Sequence, residues 1–289
     1  MMTDHTDAAL ALGELDYEEH IQGSKECYEE MMQRPLVVKC YVNSAENKKN
    51  KMKTNTKLVH FVRHGQGFHN LMADLAKEAG RTWKQCTNDP ANPYIMPEIL
   101  DAPLTHKGRE QAIALQSTVR ALDESEQPQL VVLSPHCRAL QTGVLAFEEL
   151  LDGNRNDSNG NKKCSFIAHE MVREETGVHR CDQRRPKSRQ EKEFPMVDFS
   201  LLTDEDDKIF DPNRRESKLE VSERIYTFME WLEKRPENVV GVASHSAWLL
   251  TTFNANLDII ATDEDDAKSL KDWFQTGEIR SVILEFVRT

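Results

Sequence analysis

Three short apolar segments, widely spaced along the chain, constrain the fold more than any other feature. They read LVHFV at 58–62, LVVLS at 130–134 and VVGVAS at 239–244, and a helical pattern follows each of them. Apolar runs without polar alternation are typical of strands that are buried on both faces. Strands that alternate with helices in this way predict an α/β fold, in which three layers, α/β/α, contain a mostly parallel central sheet.

Cationic or imidazole side chains follow each of the three segments. The first segment is followed by Arg63 and His64, the second leads into Arg138, and the third is followed by His245. Ligands of open parallel sheets bind at the carboxyl ends of the strands, so we expect these four side chains to converge. Two guanidinium groups with fixed donor geometry and two imidazoles suit a phosphoryl group.

The composition of the chain changes near position 57. Residues 1–30 are rich in acids, 35–42 resemble a short strand, and 43–57 are polar and lysine-rich, which is typical of a linker. We expect residues 1–56 to form a peripheral N-terminal extension that is disordered in part. The domain itself is predicted over 57–289.

Charge and cysteine content argue against several classes of protein. The 289 residues include 37 basic and 49 acidic side chains, and the net charge of −12 argues against a protein that coats nucleic-acid phosphates. No apolar run approaches the ~18 residues of a membrane span. The first residues lack the basic segment followed by an apolar segment that is typical of a signal peptide. The six cysteines are far apart, which argues against disulfides or a metal site. We therefore expect a cytoplasmic protein without nucleic-acid or membrane partners.

Four ordered motifs resemble those of the histidine phosphatase superfamily, which has the phosphoglycerate-mutase-like fold. They are FVRHGQGFHN at 61–70, DAPLTHKGREQA at 101–112, SPHCRALQT at 134–142 and ASHSAWL at 243–249. The segments at 173–185 and 193–202 are most similar to phosphoglycerate-mutase-like proteins of plants, algae and fungi. The resemblance covers roughly residues 57–289 and implies the same fold for them.

The resemblance also implies roles for the residues that match these motifs. His64 would be the nucleophile that takes the phosphoryl group, and Arg63, Arg138 and His245 would hold the phosphoryl oxygens. Asn70 matches an asparagine that also contacts phosphate. A neutral imidazole is nucleophilic at pH 7, and arginines stabilise the charge of the transition state. We therefore expect neither a metal nor another cofactor.

The general acid of this superfamily is a Glu or Asp that follows the third strand. In this chain the neighbours Glu174 and Glu175 compete for that role. The spacing to Gly177 favours Glu174, in which case Glu175 would be a solvated loop residue.

The leading functional hypothesis is a metal-independent phosphatase that hydrolyses phosphomonoesters through a phosphohistidine, similar to a histidine acid phosphatase. One alternative is a mutase-type phosphotransferase that acts on phosphoglycerate. The mutases of this family have an ERHYG-type segment after the glutamate, whereas this chain has EETGVHRCD at 174–182. Another alternative is a non-catalytic protein that binds phospho-ligands, which the complete set of site residues argues against. The expected partner is a small phosphorylated substrate, and the sequence defines neither its identity nor the oligomeric state.

A basic segment near the third motif has two interpretations, and the sequence leaves both open. Its cations are Arg180, Arg184, Arg185, Lys187 and Arg189. They could form an electropositive lip that attracts phosphorylated substrates. Alternatively, they belong to a solvated loop with structural ion pairs.

Other charged and titratable residues favour structural interpretations. We expect His60 to be a satisfied core or surface residue, and His106, His136, His169 and His179 to lie at most at the rim of the site. The acidic tetrads at 204–207 and 263–266 each follow a threonine. Acids in that position predict the first turn of a helix.

Overall fold

The computed structural model describes residues 14–44, 46–47, 55–84, 86–151, 164–261 and 263–288. These residues form one eight-stranded sheet. In chain order its strands are β1 (Leu36–Val42), β2 (Thr56–Arg63), β3 (Leu130–Leu133), β4 (Ser165–Ala168), β5 (Val197–Asp198), β6 (Val239–Ser244), β7 (Leu257–Ile260) and β8 (Ile279–Arg288). Across the sheet the order is β5-β4-β3-β6-β2-β8-β1-β7. Only the two pairs that β8 makes with β1 and β2 are antiparallel, which confirms the prediction of a mostly parallel sheet.

Eight α-helices in the described part of the chain accompany the sheet. They are α1 (Glu14–Met32), α2 (Phe68–Glu78), α3 (His106–Arg120), α4 (Cys137–Leu151), α5 (Lys187–Glu193), α6 (Lys218–Glu233), α7 (Ser246–Thr251) and α8 (Glu264–Lys271). Thr105 caps α3, because its hydroxyl accepts from the backbone N–H of Gly108. None of these helices is long and apolar enough to cross a membrane.

A hydrophobic core lies on each face of the sheet. On one face, Val242 of β6 belongs to the same cluster as Phe228 of α6 and Trp248 of α7. On the other face, the next residue of that strand, Ala243, belongs to a cluster with Phe147 of α4. The central strands are therefore buried on both sides, which explains why their sequences lack polar alternation. This is the predicted three-layer arrangement.

The N-terminal segment differs from the expectation of a peripheral extension over 1–56. β1 lies inside the sheet between β8 and β7, and Cys40 within it is fully buried. α1 packs against α6, α7 and the following π-helical turn, and Met31 on its inner face is buried. The acidic side chains that suggested a peripheral segment lie on the exposed side of α1, and the opposite side packs against the domain. The fold therefore includes the described residues from position 14 onward. Residues 1–13, 45 and 48–54 lie outside the described part.

The two acidic tetrads have different structures. Asp263 caps α8 by accepting from the backbone N–H of Asp266, whereas the predicted cap Thr262 lies outside the described residues. The tetrad at 204–207 is irregular, so the prediction of a helix start there is wrong. In it, Asp207 accepts two hydrogen bonds from the guanidinium of Arg173. Pairing a buried arginine takes precedence over the local helix signal at this point.

The carboxyl ends of β3, β6 and β2 lie side by side in the sheet. The backbone N–H of His64, just past β2, donates to the carbonyl oxygen of Ser244 at the end of β6. The loop after β2 approaches α3 so closely that a methyl group on Gly65 would lie 2.3 Å from the carbonyl oxygen of Gly108. The backbone thus places the predicted site residues at one edge of the sheet.

Candidate active site

A cavity of about 250 Å³ lies at this edge of the sheet. Arg63, Asn70, Arg138 and Glu174 line its wall. His64 is buried against them, because its Nε2 lies 3.3 Å from the Nε of Arg138. The ring centres of His64 and His245 are 5.0 Å apart. The structure therefore brings together all six residues for which the sequence predicts a role.

The backbone determines which nitrogen of His64 carries the proton. Its Nδ1 lies 2.7 Å from the carbonyl oxygen of Gly65, and only an N–H can pair with a carbonyl. Nε2 therefore has the free electron pair, which accepts from Arg138. Burial, together with the charges of Arg138 and Arg63, holds the pKa of His64 well below its usual value. The imidazole is neutral at pH 7 with its basic nitrogen beside a guanidinium group.

The two arginines are buried and differ in their partners. Arg63 donates to the carbonyl oxygen of Phe274 at 2.5 Å and forms no ion pair with any described residue. Its guanidinium carbon lies 5.7 Å from the ring centre of Trp273. Burial lowers the pKa of Arg63 to about 10, so it stays charged at pH 7. Arg138 pairs with Asp182 at 2.7 Å, and this carboxylate raises the pKa of Arg138 although burial opposes it.

His245 lies next to a second buried histidine. Its Nε2 is 2.7 Å from the Oγ of Ser134 and 3.3 Å from the Nδ1 of His136, while its own Nδ1 is buried and has no hydrogen-bond partner among the described residues. Burial and the charge of Arg138 hold the pKa values of both histidines well below the usual range. The prediction that His136 lies at the rim is wrong, since it is fully buried behind His245.

Asn70 lies in the first turn of α2 and faces the cavity. Its Oδ1 accepts from the backbone N–H of Gly67 at 3.0 Å. That bond fixes the amide, and the Nδ2 group makes no hydrogen bond with the described residues. Asn70 thus presents a free donor to the cavity.

Glu174 is held at the start of α7 by backbone and side-chain donors. Its Oε1 accepts from the N–H of Trp248 at 3.0 Å. Its Oε2 accepts from the N–H of Ala247 and the hydroxyl of Ser246, both at 3.3 Å. These bonds orient the carboxyl group in the cavity wall.

Glu175 belongs to a buried ion-pair cluster and does not line the cavity. It pairs with Arg215 at 3.2 Å and with Lys218, and His20 lies 3.8 Å away. Burial alone would raise the pKa of Glu175, but these cations hold it well below its usual value. The expectation of a solvated residue is wrong, because the side chain is only 5% exposed. This geometry agrees with the preference for Glu174 as the acid.

The cations of the basic segment are used for structural contacts. Arg184 pairs with Glu170 and Arg185 with Asp101, each at 2.9 Å. Arg189 pairs with a glutamate of its own helix. None of the five cations proposed for an electropositive lip lines the cavity. The structure therefore favours the interpretation as structural ion pairs.

Several cavity-lining residues had no predicted role. Among them are His20, His69, Lys107, His179 and Arg215. His69 stands beside Asn70 in the first motif, so a signal for it was present. His179 was expected at most at the rim, although it lies in the segment of the general acid. His20 comes from α1, and nothing in the sequence connects that helix to the strand ends.

The remaining histidines of the described part, His60, His106 and His169, lie outside the cavity. Both ring nitrogens of His60 are hydrogen-bonded, to Ser281 and to the carbonyl of Glu126, as expected of a core histidine. His106 is largely exposed, and His169 accepts from a backbone N–H in a short turn. Among the described residues, no group of three or more His, Cys, Asp or Glu side chains is placed to hold a metal ion.

The fold and the site together define a protein of the histidine phosphatase class. Sequence relatives give the family. A phosphoglycerate mutase-like protein of Arabidopsis thaliana is 31% identical over 252 residues, which cover 79% of this chain and 84% of the relative. Phosphoglycerate mutase-like protein 1 of the same plant is 31% identical over 244 residues, or 79% and 81% of the two chains. The chain therefore belongs to the phosphoglycerate mutase-like family of the histidine phosphatase superfamily and is an enzyme.

Comparisons with family models and solved structures add little to this assignment. No family model matches the sequence. A mycobacterial hydrolase is 16% identical with a TM-score of 0.42, covering 81% of this chain and 97% of its own. A mycobacterial glucosyl-3-phosphoglycerate phosphatase is 18% identical with a TM-score of 0.35, covering 68% and 77%. Both TM-scores are below 0.5, so the family assignment rests on the sequence relatives.

Proposed function

We propose that this protein is a phosphatase that hydrolyses phosphomonoesters through a phosphohistidine on His64. The observation that carries the proposal is the state of His64. Its Nδ1 is held by the carbonyl of Gly65, so Nε2 offers a free electron pair beside the charged group of Arg138. A neutral, oriented imidazole next to fixed cations is what attack on phosphorus requires.

The phosphoryl oxygens would be bound by groups that have spare donors. Arg63 is charged and forms no ion pair with the described residues, and the Nδ2 group of Asn70 makes no hydrogen bond with them. The Nδ1 of His245 is buried without a partner and can donate to a phosphoryl oxygen when it carries the proton. The hydrogen bond from the Nε of Arg138 to His64 is long, at 3.3 Å. The Nε–H of Arg138 would therefore turn to the phosphoryl group when substrate is bound. These donors stabilise the charge on the equatorial oxygens in the transition state.

Glu174 is proposed as the general acid and base. In the first step, Nε2 of His64 bonds to phosphorus, the ester P–O bond breaks, and the leaving oxygen takes a proton from Glu174. In the second step, water attacks phosphorus, its proton returns to the Glu174 carboxylate, and the N–P bond breaks to regenerate neutral His64. Two features support this role, the position of Glu174 in the cavity wall and the burial of Glu175 among cations.

The alternative activity is the phosphoglycerate mutase type, which the names of the plant relatives suggest. The segment at 174–182 departs from the mutase pattern, and for this reason we prefer hydrolysis. Purified enzyme given 3-phosphoglycerate with a trace of the bisphosphate primer should make no 2-phosphoglycerate. Isomerisation without phosphate release would establish the mutase in place of the hydrolase.

The test of the proposed mechanism is to trap the phosphoenzyme. Rapid denaturing quench at alkaline pH of the enzyme with a ³²P-labelled phosphomonoester should give protein-bound label that is stable in alkali and lost in acid, as expected of phosphohistidine. His64→Ala should lose both the label and the hydrolysis of p-nitrophenyl phosphate. His106→Ala is the control, because that imidazole is exposed and lies outside the cavity. Label or turnover above background in His64→Ala would refute the covalent mechanism.

A further inference from the structure

His136 lies behind His245 and has no role in the mechanism above. It is fully buried, and its ring centre is 5.0 Å from that of His245. Three atoms meet between the two rings: the Nδ1 of His136, the Nε2 of His245 and the Oγ of Ser134. Because each of these atoms can donate or accept, their protons determine which nitrogen of His245 is protonated.

A backbone carbonyl fixes the proton of His136. Its Nε2 lies 3.0 Å from the carbonyl oxygen of Asp182, which can only accept, so this nitrogen carries the proton. Burial and the charges of Arg138 and Arg173 hold the pKa of His136 well below its usual value, so the ring is neutral. Its Nδ1 therefore has a free electron pair and requires a donor.

The protons between the three atoms have two arrangements. If Ser134 donates to the Nε2 of His245, at 2.7 Å, the Nδ1 of His136 has no donor and faces another free electron pair at 3.3 Å. If His245 is protonated on Nε2 and donates to Ser134, the hydroxyl can donate to His136, at 3.4 Å. Of the two, the second gives each of the three atoms a partner, and buried polar atoms are rarely left without one.

The carboxylates near the two rings do not change this assignment. The ionisable groups around the rings are two arginines, two imidazoles and two acids: Arg138, Arg173, His64, His69, Asp182 and Glu174. The carboxylate of Asp182 pairs with Arg138, and that of Glu174 accepts from the first residues of α7. Neither carboxylate accepts from a ring nitrogen of His136 or His245. Burial and the charge of Arg138 therefore keep His245 neutral as well.

We infer that His136 is a positioning residue, which keeps the proton of His245 on Nε2 and leaves its Nδ1 as a hydrogen-bond acceptor. The inference rests on the proposed phosphatase function, which places this Nδ1 at a phosphoryl oxygen. The Nδ1 is buried and has no hydrogen-bond partner among the described residues. An acceptor at this position requires an oxygen that carries a proton.

The inference defines the form of the substrate that the site accepts. It is the monoanion of a phosphomonoester, whose P–OH group donates to the Nδ1 of His245. Once that proton has moved from the phosphoryl oxygen to Nδ1, the imidazolium is the donor of the mechanism above. An anion that carries no proton meets a free electron pair at this nitrogen, so the site discriminates against it.

Phosphate and sulfate test this inference, because they have the same shape and differ in their protons. At about pH 5, below the second pKa of phosphate groups of about 6, phosphate carries protons and sulfate carries none. Isothermal titration calorimetry of the wild-type protein should show that phosphate binds roughly 10–100-fold more tightly, since sulfate leaves a buried acceptor without a donor. This measurement of binding does not depend on turnover.

Two variants with opposite expectations assign the preference to His136. His136→Phe keeps a ring of similar size but removes Nδ1, so Ser134 is free to donate to His245, whose proton then moves to its Nδ1. The preference for phosphate should fall by about 10-fold. In Ser134→Ala the Nε2–H of His245 can still donate to His136, 3.3 Å away, so the preference should remain. His169→Phe is the matched control, since it makes the same change at a histidine outside the cavity, and it should keep the full preference.

The tautomer of His245 can also be measured in the wild-type protein, so the inference does not depend on the folding of His136→Phe. Two-bond ¹H–¹⁵N NMR spectra of protein labelled with ¹⁵N-histidine distinguish protonated from unprotonated ring nitrogens. The signals of His245 are those that are missing from His245→Gln. We expect a protonated Nε2 and an unprotonated Nδ1, and the reverse pattern would overturn the inference.

The outcomes separate this inference from the proposed function. Equal affinities for phosphate and sulfate in the wild-type protein, or an undiminished preference in His136→Phe, refute the role of His136. Loss of the preference in Ser134→Ala alone assigns the tautomer to the hydroxyl and also refutes that role. If the preference depends on His136 but p-nitrophenyl phosphate is not hydrolysed, the proposed phosphatase is refuted and the tautomer assignment is supported.

Discussion

Replacing Glu174 by glutamine removes the proposed acid and retains most of its packing. The amide oxygen can still accept from Trp248, but the amide NH₂ would face the N–H of Ala247. The two bonds lost there are long, at 3.3 Å, so we expect a loss of stability of only about 1–2 kcal/mol. Catalysis should suffer more, by roughly 10²–10⁴-fold for alkyl phosphates, which is the usual contribution of a positioned general acid.

Glu175→Gln is the matched control, since it makes the same change at the next residue. It removes a charge that pairs with Arg215 and Lys218 in a buried cluster. Breaking such a pair typically costs 3–5 kcal/mol, and we expect about 3 because Lys218 is 15% exposed. For a domain of this size that lowers Tm by roughly 6–12 °C. The chemical step should change little at a temperature where the variant is folded.

The assay compares an alkyl phosphate with p-nitrophenyl phosphate in both variants, and thermal unfolding is measured alongside. In Glu174→Gln, turnover of the alkyl ester should fall by roughly 10²–10⁴-fold. Turnover of the aryl ester should fall much less, because p-nitrophenolate leaves without a proton. If Glu175→Gln shows that leaving-group dependence instead, Glu175 is the acid and the reasoning from the cavity wall is wrong. An equal loss on both esters in Glu174→Gln would show that the residue has a purely structural role.

Three further predictions concern the nucleophile, its loop and the phosphoryl pocket. The lowered pKa of His64 should keep its imidazole neutral below pH 6.5, the usual pKa of histidine. We therefore expect kcat/KM for p-nitrophenyl phosphate, corrected for substrate ionisation, to decline only at lower pH. A decline centred at pH 6.5 would contradict this prediction. Gly65→Ala places a methyl group 2.3 Å from the Gly108 oxygen, so we expect about a 10²-fold loss of kcat/KM. Gly23→Ala, which meets only the flexible side chain of Lys218 at 3.0 Å, should retain activity. Orthovanadate should inhibit the enzyme while excess EDTA should not, and a requirement for added Mg²⁺ would refute the metal-free mechanism.

The convergence of the candidate site residues could be predicted from the sequence because several of them follow recognisable strands. Arg63, His64 and His245 each stand directly after a buried apolar run, so the sheet itself makes them converge. The preference for Glu174 came from its spacing to Gly177, which is also local information in the sequence. The interpretation of Glu175 failed because its partners Arg215 and Lys218 are about 40 residues away along the chain, and no local pattern reports such a pairing.

The N-terminal part of the fold and its share of the cavity could not be predicted from the sequence. Acids on the exposed side of α1 dominate the composition. Among the described side chains of this helix, the buried ones are Tyr17, Ser24, Cys27 and Met31, which recur at helical spacing but include only two large apolar residues. A strand at 35–42 was expected, but its place between β8 and β7 depends on pairings with the far end of the described chain. Nothing in the sequence therefore indicated that His20 lines the cavity.

The position of β8 has a consequence for how this protein folds during its synthesis. β8 is the only connection in the sheet between β1 and β2, and it pairs with both along most of its length. Residues 36–63 leave the ribosome long before residues 279–288 are synthesised. Until then, the edges of β1 and β2 that pair with β8 stay unpaired. The loop just before β8 supplies the carbonyl of Phe274 to Arg63, and in the same loop the N–H of Gly277 donates to the carbonyl of His64. The half-made chain thus exposes strand edges that favour aggregation and holding by chaperones, and its candidate active site is completed only when the loop before β8 has been made.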